Sequence, residues 1–258
     1  MNTRKLKKLL YLLKNNKKSF LKEQIILFDK FNLNRENGKE LLNNIKKQYP
    51  ILNTTMNSEH QTIFSSISEN KKYVIKNILE IGTYDGTNAF LLSKLFPQAK
   101  ILTIDLPDDA KDFQDTYGRN DEIKRENFIK LRNQVINTEK NIKFKQFNSL
   151  KLTFENEKFD LIWVDGAHGY PQVTIDIINS LRLCNQNGLI LCDDIFKYKI
   201  KNQDEMYYSN ATIETIKLLA SEKIVSYDLF LKRIENKYNY FPQEQKFIGL
   251  IKFLKEKK

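Results

Sequence analysis

The sequence predicts a doubly wound α/β fold. Three observations carry this. From residue 72 onward, apolar runs of strand length alternate with longer helical stretches. The strands are β-branched and apolar on both faces, as in a parallel sheet covered by helices on each side. The first strand runs into a glycine-containing turn and then a helix, at Ile78–Thr87. A length of 258 residues suits one such domain with a small appendage.

In chain order, the strand candidates are Asn77–Gly82, Lys100–Asp105, Ile142–Phe147, Phe159–Asp165 and Leu189–Asp193. Helical stretches lie between them at 87–96, 121–138 and 171–184, and another comes at 209–221. Crossovers between the parallel strands should be right-handed. Two late strands, Ile224–Arg233 and Lys246–Phe253, flank the turn-like Tyr238–Pro242 and read as an antiparallel pair at one sheet edge. The expectation is a mostly parallel, seven-stranded sheet with an antiparallel C-terminal edge pair, spanning residues 56–258.

Residues 1–55 form a basic helical extension. Leu6, Leu9, Leu10 and Leu13 repeat at i, i+3, i+4, i+7, and Leu21, Ile25 and Phe28 suggest a second helix. Asn37–Gly38 and Pro50 punctuate the stretch after that helix. The apolar stripe would pack on the main domain or on a second copy in a homodimer. A helix lying on a membrane surface is a further reading. Residues 1–50 hold 13 Lys and Arg against 4 Asp and Glu, so +9 of the formal +11 sits there. A basic arm suits nucleic acid, an anionic membrane or an acidic partner. The plainer reading is a solvated face, because Lys, Asn and Ile are abundant along the whole chain.

Two cysteines, Cys184 and Cys192, do not make a disulfide framework. No apolar run approaches the ~20 residues needed to span a bilayer. Leu9–Leu13 is too short for a signal peptide core and lacks a cleavage site, so a cytoplasmic protein without a transmembrane segment is expected.

The most informative run is Ile78-Leu79-Glu80-Ile81-Gly82-Thr83-Tyr84-Asp85-Gly86-Thr87. In open α/β sheets, ligands bind beyond the carboxyl ends of strands at the topological switch point, where this loop should sit. Asp105 ends the next strand, 23 residues after Gly82, and an acid there can accept from both hydroxyls of a ribose. A dinucleotide fingerprint needs glycine two residues after the first, for close approach of the pyrophosphate. Here that residue is Tyr84, and the next, Asp85, would repel a diphosphate. A nicotinamide oxidoreductase is disfavoured for this reason. S-adenosylmethionine carries no phosphate but a cationic sulfonium and amine, which suit Glu80 and Asp85.

The run Leu79–Gly86, the acid Asp105, and the later Val164-Asp165-Gly166-Ala167-His168 and Cys192-Asp193-Asp194 resemble class I S-adenosylmethionine-dependent methyltransferases. Within them they are similar to small-molecule O-methyltransferases of the catechol, caffeoyl-coenzyme A and sugar types. The resemblance covers about residues 56–258. It implies that Glu80, Gly82, Thr83 and Tyr84, with Asp85 and Gly86 in the same loop, contact the methionine part. Asp105 would hold the ribose, Leu106 would flank the adenine, Asn148 and Ser149 would lie at the adenine edge, and Asp165 would border the cofactor.

Parallel neighbouring strands bring Asp165, Asp193 and Asp194 to one edge of the sheet. Three converging carboxylates are costly to desolvate unless a hard divalent cation such as Mg²⁺ joins them. The catechol-type enzymes hold a metal with an Asp after the fourth strand and an acidic pair after the fifth. The 28-residue separation of Asp165 and Asp193 looks the same. His168 lies three residues after Asp165, where those enzymes place a lysine base and some sugar O-methyltransferases a histidine. His168 and Asp165 are therefore the catalytic candidates, since a hydroxyl acceptor must shed its proton and imidazole titrates near neutral pH. His60 reads as structural.

The expected activity is O-methylation of a small-molecule or sugar hydroxyl. The alternative is an RNA methyltransferase using the basic arm, although the Asn/Asp-Pro-Pro-Tyr/Phe motif of amino-methylating enzymes is missing. A binding or scaffold protein that kept the fold is a third reading, against which the intact Glu80, Asp105, Asp165 and His168 stand.

Overall fold

The computed structural model describes residues 11, 16–54, 58–200, 208–235, 242 and 244–254. The predicted stripe at Leu6, Leu9, Leu10 and Leu13 lies outside them. Three helical pieces lead in: α1 (Lys17–Lys30), α2 (Arg35–Gln48) and, after a 3₁₀ turn at Pro50–Thr54, α3 (Glu59–Glu69). The alternating part comes next as β1 (Asn77–Ile81), α4 (Thr87–Leu95), β2 (Lys100–Asp105), α5 (Lys111–Gln114), α6 (Glu122–Ile136), β3 (Ile142–Gln146) and β4 (Phe159–Val164). The chain continues through α7 (Gln172–Leu183), β5 (Cys184–Phe196), α8 (Ala211–Ser221), β6 (Val225–Leu231) and β7 (Lys246–Phe253).

The seven strands form one sheet in the order β3-β2-β1-β4-β5-β7-β6. β1 to β5 are parallel, and β7 runs antiparallel to both β5 and β6. The chain reverses its direction of winding between β1 and β4, which makes their carboxyl ends the switch point. Period-two alternation splits the strands between two cores. Ile78, Leu161, Trp163, Leu189 and Leu191 face one way, toward α2, α3 and α4. Leu79, Ile162, Val164, Ile190 and Cys192 face the other, toward α7 and α8.

The predicted strands and helices from residue 77 onward are found within a few residues, except that β5 starts at Cys184 rather than Leu189; the predicted turn at Tyr238–Pro242 lies, but for Pro242, outside the described residues. Its far end is irregular too. Cys192 pairs Gly249 while Ile195 pairs Phe247, so β5 carries one extra residue there. This bulge contains Asp193 and Asp194, with Asp194 at φ 49°, and bulges re-aim side chains.

Two details of the N-terminal helices differ from expectation. Asn37–Gly38 does not interrupt α2, because Gly38 is the contact point with α3. A Cβ on Gly38 would stand 2.0 Å from Ser66 Oγ and 2.8 Å from its amide nitrogen. In α1 the buried row is Phe20, Gln24 and Phe28, whereas Ile25 is 37% exposed. Gln24 belongs to the buried row because its amide closes two hydrogen bonds with the Leu231 backbone on the outer strand β6, at 3.1 and 3.0 Å. A polar residue in the packing face hides it from a hydropathy pattern. No helix among the described residues is long and apolar enough to cross a membrane.

Candidate active site

The carboxyl ends of β1, β2, β4 and β5 stand side by side. Ile81 is level with Ile104 and Val164, and Val164 with Cys192. The residues just beyond each end build the site.

Gly82 turns the chain out of β1 at φ +100°, with its amide donating to the Ile104 carbonyl (2.9 Å). Its place requires glycine, since a Cβ would lie 2.2 Å from the Asp165 carbonyl oxygen. The loop is thus pressed against the end of β4. The Tyr84 amide donates to Asp105 Oδ2 (2.9 Å) and the Leu106 amide to Oδ1 (2.8 Å). Burial raises the Asp105 carboxyl, and these two amides oppose the rise. Asp85 Oδ1 accepts from the Thr87 amide (3.0 Å) and hydroxyl (2.6 Å), and so caps α4 behind Gly86.

Glu80 lies beneath the loop, fully buried. Asn88 Nδ2 donates to one oxygen (2.7 Å) and the Thr103 hydroxyl to the other (2.5 Å), while the Thr83 and Thr103 hydroxyls share a 2.6 Å bond. Burial pushes the Glu80 carboxyl up to about 7. Glu80 is placed to brace the loop, and Thr103 and Asn88 are parts of that brace the sequence pattern did not reveal.

Aromatic rings flank the outer side. Tyr84, at φ 49°, meets Tyr117 and Phe128 at centroid distances of 5.0 and 5.3 Å. Arg119 stacks 3.9 Å over Phe113. On the third side, Asn148 caps the 3₁₀ turn Ser149–Phe154, and Gln172 Nε2 donates to Ser149 Oγ (2.8 Å). The buried Asp176 lies under this corner, pushed up to about 6 by its burial.

The second cluster adjoins the first. Asp165 and His168 come from the loop after β4, and Asp193 and Asp194 from the β5 bulge. His168 Nε2 is 3.8 Å from Asp165 Oδ1 and 4.0 Å from Asp194 Oδ2. Burial pushes the His168 imidazole below its ordinary value, against the pull of Asp194 and Asp193. Burial and then the Asp193 carboxylate push the Asp165 carboxyl well up. About a third of its side chain (34%) stays open to solvent.

Two lysines far along the chain complete the cluster. Lys232, at the end of β6 and almost fully buried, donates to Asp193 Oδ2 and Asp194 Oδ1, each at 2.5 Å. Lys246 donates to Asp194 Oδ2 at 2.7 Å. Burial alone would raise Asp194, but Lys232, His168 and Lys246 hold it far below the carboxylate range.

This changes the expectation of a divalent cation on Asp165, Asp193 and Asp194. The three carboxyls do converge, but Asp193 and Asp194 are already met by an ammonium between them and a second on Asp194. Among the described residues no group of three ligating side chains is spaced to hold a metal. The donor set as folded does not fit Mg²⁺, which would have to displace Lys232 from both Asp193 and Asp194. A lysine closing a buried strand, as in Phe230-Leu231-Lys232, was the available signal.

His60 is a packing residue. Its ring lies 4.9 Å from Trp163, Nδ1 meets Ser58 Oγ at 2.8 Å, and burial pushes its pKa down to about 4.

Residues 79–195 match a methyltransferase-domain family. Among solved structures, the chain is similar to an enzyme described as a caffeoyl-CoA O-methyltransferase from Staphylococcus aureus. The identity is 16%, over 90% of this chain and 98% of that one, with a TM-score of 0.53. It is also similar to the O-methyltransferase TomG from Streptomyces achromogenes, solved with S-adenosylmethionine, at 12% identity over 88% and 94% and a TM-score of 0.51. A methyltransferase from Podospora anserina bound to S-adenosylhomocysteine aligns at 17% identity over 98% and 97%, with a TM-score of 0.50. No curated protein matches the sequence. By strand order and by the loop between β1 and α4 the chain has the fold of these methyltransferases, and its residues 79–195 carry the match to a methyltransferase domain.

Proposed function

We propose that the protein methylates a hydroxyl of a small-molecule acceptor, a sugar among the candidates, using S-adenosylmethionine and no divalent metal. The observation that carries this reading is the contact between Gly82 and the Asp165 carbonyl. It sets the loop after β1 against the end of β4, and on this reading the loop and the His168 cluster are two walls of one cleft.

The cleft fits the cofactor in its chemistry. Asp105 presents a carboxylate to a ribose diol, and Leu106 lies beside the adenine position. Asn148 and Ser149 offer polar atoms at the far edge. The backbone of Gly82, Thr83 and Tyr84 faces the methionine part, held from below by Glu80. Tyr84 stands where a pyrophosphate site would need glycine. When bound there, the cofactor supplies an electrophilic methyl group on a sulfonium.

This chain's own residues handle the acceptor. Neutral His168 takes the hydroxyl proton at Nε2 as the oxygen attacks carbon. The Lys232 ammonium offers a fixed positive charge toward the developing negative oxygen, the task a metal has in related sites. The imidazolium formed at His168 is met by the Asp194 carboxylate, 4.0 Å away. Alignment of donor and acceptor between the two walls contributes to the rate.

The test is methyl transfer to a panel of hydroxylated small molecules, read as S-adenosylhomocysteine. Product should form equally with chelator or with added Mg²⁺. Dependence on Mg²⁺, or no product with any hydroxyl acceptor, contradicts the reading.

A further inference from the structure

A basic cavity lies beside the cleft, not in it. It measures about 650 Å³ and is walled by α2, the start of α3 and the chain just after β6. Small-molecule sites fall in this size range. Its lining carries six Lys or Arg and two Glu, an excess of four positive charges. The two carboxylates are already engaged, as are two of the cations, Arg35 by Glu59 and Lys232 by Asp193 and Asp194. Glu59 accepts two hydrogen bonds from Arg35, at 2.9 and 2.7 Å, and Glu235 pairs with Lys17. Lys39, Lys46 and Lys47 recur on one side of α2, and Arg233 also lines the cavity. Burial pushes the Lys46 ammonium below its usual value, so its positive charge is held at a desolvation cost.

The cavity reaches the reaction centre through two connections. Lys232 lines it and also contacts Asp193 and Asp194. Ser58 lines it and holds His60, which stacks on Trp163 two residues before Asp165. The Glu59 amide donates to the Lys232 carbonyl at 2.9 Å, joining the two walls.

We propose that this cavity binds a phosphoryl or pyrophosphoryl group on the methyl acceptor, so that the acceptor is a phosphorylated small molecule whose hydroxyl reaches toward His168. The inference rests on the methyl-transfer reading. Lysines are compact point charges suited to phosphate oxygens, and several around one recess match a group of charge −2 to −4 better than a single carboxylate. The concave form favours a small molecule, since a nucleic acid is tracked by an extended basic face. It also gives the positive charge of residues 35–47 a local purpose.

The experiment is titration calorimetry of the full-length protein with inorganic pyrophosphate at low and physiological salt, and separately with S-adenosylhomocysteine. The native protein should bind pyrophosphate saturably and more weakly at higher salt. The exposed pair Lys39→Glu/Lys47→Glu should weaken this at least tenfold, Lys39→Gln/Lys47→Gln less, and both should keep nucleoside affinity within about twofold. Absent pyrophosphate binding, or equal binding by the variants, overturns the proposal. Citrate binding as tightly as pyrophosphate overturns the phosphoryl assignment. A single-stranded RNA that binds far more tightly than pyrophosphate, with a steeper salt dependence, replaces the small molecule by nucleic acid. If pyrophosphate binds but S-adenosylhomocysteine does not, the methyl-transfer reading fails and takes the acceptor assignment with it.

Discussion

At the scale of single residues, His168 and Glu80 make opposite statements about pH. Burial lowers the His168 pKa, so the neutral, proton-accepting form persists below the usual imidazole value near 6.5. The acid limb of kcat/KM should therefore fall below that value. His168→Ala should reduce kcat by about 10²–10⁴-fold while leaving cofactor affinity unchanged. A pH–rate profile of both proteins checks this. Glu80 is raised by burial to about 7. Between its unfolded value near 4.5 and its folded value, the native state holds the extra proton, so stability falls as pH rises through that window. Glu80→Gln should remove this dependence and stabilise the protein at pH 8 by up to roughly 3 kcal/mol. Melting temperatures at pH 5 and pH 8 decide it. Lys232 was hidden in the sequence because it reaches Asp193 from 39 residues away. Composition locates acids at the ends of strands, but not the distant base that neutralises them. If Lys232 takes the place of the metal, native protein should not bind Mn²⁺ by electron paramagnetic resonance, and Lys232→Met should gain such binding.

At the scale of elements, the strands were readable because buried parallel strands are continuous apolar runs bounded by turns. The site loops were readable because they directly succeed those strands. Close approaches between elements were not readable. Gly38 reads as a helix breaker until Ser66 is seen against it, and Gln24 as a surface residue until it is seen bonded to β6. Gly38→Ala should cost about 1–3 kcal/mol by forcing α2 off α3. Gln24→Leu should cost about 1–3 kcal/mol by stripping two hydrogen bonds from the outer strand. Denaturant midpoints measure both, and neither change should alter the cofactor affinity of the folded fraction. The β5 bulge was likewise invisible, yet it aims Asp193 and Asp194 into one cluster with His168.

At the scale of the whole molecule, two apolar cores on opposite faces of one sheet hold four strand ends level, and the chemistry collects there. α1, α2 and α3 are continuous with one of those cores through Phe28, Leu42, Ile63 and Phe64. The described part of the basic segment, residues 16–54, is in this way folded against the domain, with part of its charge around the cavity. The central claim is that the cleft between the β1 loop and Asp105 receives a phosphate-free sulfonium nucleoside. Titration calorimetry with S-adenosylhomocysteine tests it most directly. Native protein should bind one equivalent, and Asp105→Ala should weaken binding at least about tenfold through loss of the ribose hydrogen bonds. No binding by the native protein, or equal affinity in the two, would contradict the account.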